Sequence, residues 1–147
     1  MRLIVGTLML LLAACDGTPR RDQVAVEEAW VQLPVVPGRP GAAYFKLRST
    51  GATGRLVAIR SPRVERIELH ETVTTNGIAR MGPLQNAAFN EDGEIEFAPG
   101  GKHAMLFGID PEATVGSRIS LTFNIEPAGE VTADVEVRAF GEGHGGD

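Results

Sequence analysis

The sequence predicts an all-β fold, a single two-sheet sandwich of about seven to nine strands. Three observations carry this reading. Apolar and polar residues alternate in short runs along most of the chain, the period of half-buried strands. Breakers are abundant, with 18 glycines and 9 prolines in 147 residues, too many for a helical bundle. No helical period is sustained anywhere.

The candidate strands, in order, are residues 24–32, 43–48, 56–59, 64–72, 78–81, 94–97, 103–107, 117–125 and 131–140. Their separators carry turn chemistry: Pro37-Gly38, residues 51–54, Thr75-Asn76-Gly77, Glu91-Asp92-Gly93 and Pro99-Gly100-Gly101. Residues 84–89 fit neither pattern, and residues 110–116 have room for one helical turn. Ile119, Leu121, Phe123 and Ile125 share one face of their strand, as do Val131, Ala133, Val135 and Val137. Two such stripes, each needing cover, are what a sandwich supplies.

Ahead of the strands lies an address. Arg2 precedes an apolar stretch over residues 3–12, the length of a signal core and well short of the roughly 20 residues that span a bilayer. Leu12-Ala13-Ala14-Cys15 resembles the bacterial lipobox, which implies cleavage before Cys15 and acylation of that cysteine, with enough lipid for stable anchoring. An ordinary secretory signal is the alternative, and export follows from either. The domain plan is therefore a lipoprotein-type signal peptide at 1–14, a lipidated Cys15 with a polar tether through 23, one β domain at 24–140, and a glycine-rich tail at 141–147. Asp16 resembles the enteric signal for retention in the inner membrane, so a periplasmic protein on that membrane is expected.

Composition narrows the function. A formal charge of −5 and a pI near 5.2, with no basic cluster, exclude phosphate-backbone binding, so nucleic acid is not a partner. One cysteine allows no internal disulfide and no thiolate cluster. There is no HExxH or GxSxG motif, and no enzyme is expected.

After signal removal only Met81 and Met105 remain of four methionines, beside His70, His103 and His144. Met81 follows His70 after ten residues. Twenty-one residues later comes His103, then Met105 two positions on. Thioether sulfur is a soft, neutral donor and imidazole a borderline one, a combination that favours Cu(I) over harder ions. Methionine also cannot be lost to disulfide formation in the oxidising space that export implies. His103 and Met105, at i and i+2, project from one strand face. His70 shares its parity with Arg66 and Glu68, opposite Ile67 and Leu69, and so points away from the apolar side. The site is expected outside the core, at the rim of the sandwich. Glu71 is expected on the face opposite His70, and His144 in a solvated tail.

This spacing, with Ala29-Trp30-Val31, Ala42-Ala43-Tyr44-Phe45, Glu68-Leu69-His70-Glu71 and the run from Ala98 to Leu106, resembles the PCu(A)C periplasmic copper chaperones over roughly residues 24–138. The resemblance implies a cupredoxin-like Greek-key β-sandwich and a copper site of His70, Met81, His103 and Met105. Cu(I) is the expected cargo, Cu(II) the alternative oxidation state. It further implies delivery to the Cu(A) centre of cytochrome c oxidase subunit II alongside Sco-type copper proteins, and a monomer is expected. A blue-copper electron carrier is excluded, because such sites need a cysteine thiolate and Cys15 is committed to the anchor. Two alternatives stand: a copper buffer or resistance protein with the same site and no client, and a metal-free adhesion or assembly lipoprotein.

Overall fold

The computed structural model describes residues 23–51 and 53–142. The signal segment, Cys15, the tether up to residue 22, and His144 lie outside the described residues. Ten strands follow one another: β1 (Val24–Gln32), β2 (Gly41–Ser49), β3 (Arg55–Arg60), β4 (Val64–Thr75), β5 (Ile78–Pro83), β6 (Ala87–Ala88), β7 (Glu94–Phe97), β8 (Lys102–Ile109), β9 (Arg118–Glu126) and β10 (Gly129–Arg138). Among the described residues there is no helix.

The hydrogen-bonded order is β5-β4-β8-β2-β1-β10-β9-β3-β6, with β7 pairing β2 beyond β8. Consecutive strands are often not neighbours. β8 lies between β4 and β2, β3 leaves its sequence neighbours to pair with β9, and β1 runs parallel to β10. The array is folded over on itself. Phe45 on β2 and Phe123 on β9 are three strand spacings apart along the ladder, roughly 14 Å in a flat sheet. Their ring centroids are 4.8 Å apart, edge to face. Phe97 stacks on Phe45 at 4.5 Å, and all three rings are fully buried. This closure is the predicted cupredoxin-like sandwich.

Both apolar stripes behave as the alternation requires at their centres. Ile119, Leu121, Phe123 and Ile125 are buried, with Val135 and Val137, while Val131 and Ala133 pack partly covered at the margin. In β1 the phase changes midway. Glu27 pairs with Lys46 and Trp30 with Tyr44, so β1 spends one residue more than β2 over that interval. Glu28 takes up the excess at φ +48°. The resulting bulge moves the inward positions from Val24 and Val26 to Val31, which is completely buried.

One open stretch is resolved and one local expectation is corrected. The strand beyond the nine expected, β6, is a two-residue pairing with Arg55 and Leu56, inside the stretch 84–89 that carried no pattern. Residues 110–116 form turns in place of a helical turn. The Asp110 carboxylate accepts the Glu112 N–H at 2.9 Å, and Ala113 N–H reaches back to the Asp110 carbonyl at 2.9 Å. Gly116 at φ +85° closes the segment.

Candidate metal centre

Three adjacent strands bring the four spaced residues to one outward face. In the β4–β8 ladder His70 lies opposite His103, and Glu68 opposite Met105. Leu69 and Ala104, one position along, face the core and are buried. In the β4–β5 hairpin Met81 lies opposite Thr72 and Pro83 opposite His70. Thr72 has the parity of His70, so Met81 stands on the same face as the histidines. The hairpin is set by Asn76-Gly77, both at positive φ (52° and 77°), a two-residue turn whose twist suits antiparallel strands. β8 starts just after the turn at Pro99 to Gly101, which fixes where His103 falls. The centre is outside the core, as expected, at the start of β8.

His103 and Met81 are already together. His103 Nε2 is 3.2 Å from Met81 Sδ. The other ring nitrogen, Nδ1, donates to the Gly101 carbonyl at 3.0 Å. A neutral imidazole with its proton on Nδ1 presents a lone pair at Nε2. In that tautomer the Nε2 lone pair faces the Met81 thioether sulfur. Met81 is 56% exposed on edge strand β5, and contributes little to packing.

His70 approaches from the next strand, its ring centroid 6.0 Å from that of His103 and the planes inclined at 32°. Its side chain is mostly covered, at 14% exposure. Nε2 lies 3.1 Å from Glu68 Oε2. Nδ1 is buried without a hydrogen-bond partner. Glu68 is braced through its second oxygen, Oε1, by Arg66 Nε at 2.8 Å, and the Arg66 guanidinium sits 4.3 Å above the Phe107 ring. The hydrogen bond to His70, followed by the charge of Arg66, holds the Glu68 carboxyl below the usual carboxylate range.

Met105 completes the set in register. It lies two residues along β8 from His103, opposite Glu68 on one side and Ala42 on the other. With His103 it forms part of the wall of a groove of about 310 Å³, lined also by Leu33, Val36, Tyr44 and Phe140. Burial pushes the Tyr44 hydroxyl above its ordinary range.

The donors fit a soft cation. Among the described residues no group of three or more His, Cys, Asp or Glu side chains could hold a metal ion. The four spaced residues offer two imidazoles and two thioethers, a neutral and soft donor set. The orphaned His70 Nδ1 and the facing His103–Met81 pair each lack what a cation would supply.

Glu68 is the residue the sequence reading missed in this role. Its parity with His70 was visible, but which carboxylate reaches the imidazole depends on side-chain reach across the strand face. Glu71 lies on the face opposite His70, as expected, and pairs there with its cross-strand neighbour Lys102 at 3.5 Å.

Residues 24–137 match the family model described as LpqE-like. A relative from Leifsonia xyli subsp. xyli, Lxx21020, bears a lipoprotein name and is 32% identical over 133 residues, 88% of this chain and 79% of its own length. RP573 of Rickettsia prowazekii is 29% identical over 128 residues, covering 83% and 70%. Among solved structures, the copper-bound PCuAC domain from PmoF2 superposes with a TM-score of 0.65 at 23% identity, over 79% of this chain and 92% of that one. The solution structure of Cu(I)-DR1885 from Deinococcus radiodurans gives 0.63 at 21%, over 90% and 87%. At those identities the structures establish the shared fold. The family model and the Leifsonia relative go further, and this chain belongs to the LpqE-like family.

Proposed function

We propose that this protein is an exported copper carrier that holds Cu(I) as cargo between His70, Met81, His103 and Met105. The observation that carries the reading is the His103–Met81 contact. A histidine whose Nδ1 proton is committed to Gly101 turns its Nε2 lone pair on a thioether 3.2 Å away. Two neutral sulfurs and two neutral imidazoles suit Cu(I). The copper-bound PCuAC domain from PmoF2 and Cu(I)-DR1885, which share this fold, support the same cargo.

The location suits a carrier. The donors stand on an outward face, and one of them, Met81, sits on an exposed edge strand. An incoming acceptor can displace that thioether first and take the ion by stepwise ligand exchange, with no proton transfer and no redox change. The chain performs no reaction of its own in this reading. Membrane tethering through Cys15 follows from the lipobox resemblance, and the lipoprotein name of the Leifsonia relative supports it. Periplasmic residence on the inner membrane, a monomeric state and delivery to the Cu(A) centre of cytochrome c oxidase subunit II beside Sco-type proteins complete the proposal.

Deleting the gene separates carrier from buffer. Loss of oxidase activity that added copper restores is the expected result. Copper sensitivity with normal oxidase activity would replace the chaperone by a buffer. A chain that binds no copper would leave the metal-free assembly lipoprotein.

A further inference from the structure

The two imidazoles differ in how their protons are held. His103 donates from Nδ1 to the Gly101 carbonyl, which leaves Nε2 as its donor atom. At His70 the contact is at the other nitrogen. Nε2 faces Glu68 Oε2 at 3.1 Å, and the ionised carboxylate can only accept. That contact puts the His70 proton on Nε2. The lone pair then belongs to Nδ1, the atom that is buried and has no hydrogen-bond partner.

The acceptor is held in place by the same strands that carry the ligands. Arg66, Glu68 and His70 are successive outward positions of β4. Arg66 binds Glu68 Oε1 at 2.8 Å, leaving Oε2 for the imidazole. The guanidinium lies over Phe107, its cross-strand neighbour on β8. Phe107 is two residues from Met105, so the brace and the ligands share one register.

We infer that Glu68, braced by Arg66, is a positioning residue that holds His70 as its Nε2–H tautomer, so that one Cu(I) ion is bound through His70 Nδ1 and His103 Nε2. The inference rests on the copper site proposed above. It adds a carboxylate acting through a ligand and a mixed nitrogen coordination. A carboxylate on the far nitrogen of a ligating histidine fixes the ring and makes it a better donor, and its loss typically lowers metal affinity 10–100-fold.

The test reads the ring nitrogens of the ¹⁵N-labelled full chain by NMR, first without metal and then with ¹⁰⁹Ag(I), a redox-inert stand-in for Cu(I) whose nuclear spin couples to the atom it binds. Without metal, His70 is expected as the Nε2–H tautomer and His103 as Nδ1–H. With silver, coupling is expected at His70 Nδ1 and His103 Nε2. Glu68→Gln keeps an acceptor oxygen and should keep the His70 tautomer. Glu68→Ala should give a tautomer mixture and an affinity for Cu(I) at least about tenfold lower, with the Met81 and Met105 methyl shifts on loading preserved. An Nδ1–H tautomer at His70 in the metal-free chain, silver coupling at His70 Nε2, or an unchanged tautomer in Glu68→Ala would overturn the inference while leaving the copper site standing. Silver that couples to neither imidazole would overturn the copper site itself and the mixed coordination with it. The metal-free tautomer tells the two failures apart.

Discussion

Phe45 holds the two halves of the folded-over array together, and truncating it is the sharpest test of that architecture. The ring is 1% exposed, stacks on Phe97 at 4.5 Å and meets Phe123 edge-on at 4.8 Å. Phe45→Ala removes a fully buried ring where the surroundings can collapse only by moving β7 or β9. Such truncations cost about 3–5 kcal/mol, and each lost ring pair accounts for about 0.5–1.5 kcal/mol beyond burial. Because the pairs share one cavity the contributions do not add, and about 4–5 kcal/mol is expected. A domain of this size is stable by about 5–15 kcal/mol, so the variant retains a weakened fold or none. Phe45→Leu, which keeps most of the volume and loses both ring pairs, should cost about 1–2 kcal/mol. The assay is equilibrium unfolding in urea, with the slope unchanged and the midpoint lowered. Phe140→Ala, at a ring that is mostly exposed, serves as the control and should stay within about 0.5 kcal/mol. If Phe45→Ala cost less than about 1 kcal/mol, the halves would not be closed through this trio.

Other outcomes follow from the same geometry. Gly77→Ala places a side chain at φ +77° in the turn that sets the β4–β5 register; it should cost about 1–2 kcal/mol and speed amide exchange in β5, whereas unchanged exchange would detach the turn from Met81's placement. Glu71→Ala loses only its contact with Lys102 and should leave Cu(I) affinity within about twofold of wild type, so a tenfold loss by competition titration would transfer to Glu71 the positioning role inferred for Glu68. Glu130 is held below the usual carboxylate range chiefly by its hydrogen bond to Arg60, and Asp110 by the Glu112 N–H and then Arg63. Depressed values contribute stability that is present above the unfolded carboxylate range and lost as pH falls through the folded values. The urea midpoint should therefore hold from neutral pH to about 5 and decline below about 4; a midpoint flat down to pH 2 would contradict this.

Much of the fold was legible because it is written in local alternation. Residues 119–125 and the centre of 131–137 show which side faces inward, and Asn76-Gly77 marks its hairpin without help from the rest of the chain. What stayed hidden depends on distant partners. The parallel pairing of Trp30, Val31 and Gln32 with Glu136, Val137 and Arg138 leaves no mark in either segment. β6 exists only because Arg55 and Leu56 offer it a partner. The helical turn expected over 110–116 is replaced by turns held by Asp110, whose carboxylate and carbonyl accept from Glu112 and Ala113 N–H.

The candidate centre divides in the same way. Parity put His103 and Met105 on one face of their strand and His70 away from the apolar side; that the three share a face with Met81 came only from the β4–β8 and β4–β5 registers. Which nitrogen each ring offers could not be read from spacing. That depends on the Gly101 carbonyl and the Glu68 carboxylate, and on Arg66 turning the latter toward His70.

The central claim is that these four side chains hold Cu(I), and a competition titration of the full chain against a chromophoric Cu(I) chelator tests it most directly. Met81 is exposed on β5, so Met81→Ala should leave unfolding within about 0.5 kcal/mol of wild type and separate binding from folding. The expected result is one equivalent of Cu(I) withheld by wild type, with clear loss in Met81→Ala and in Met105→Ala. A wild type that cedes all its copper to the chelator, or folded variants that retain it as well as wild type does, would contradict the account.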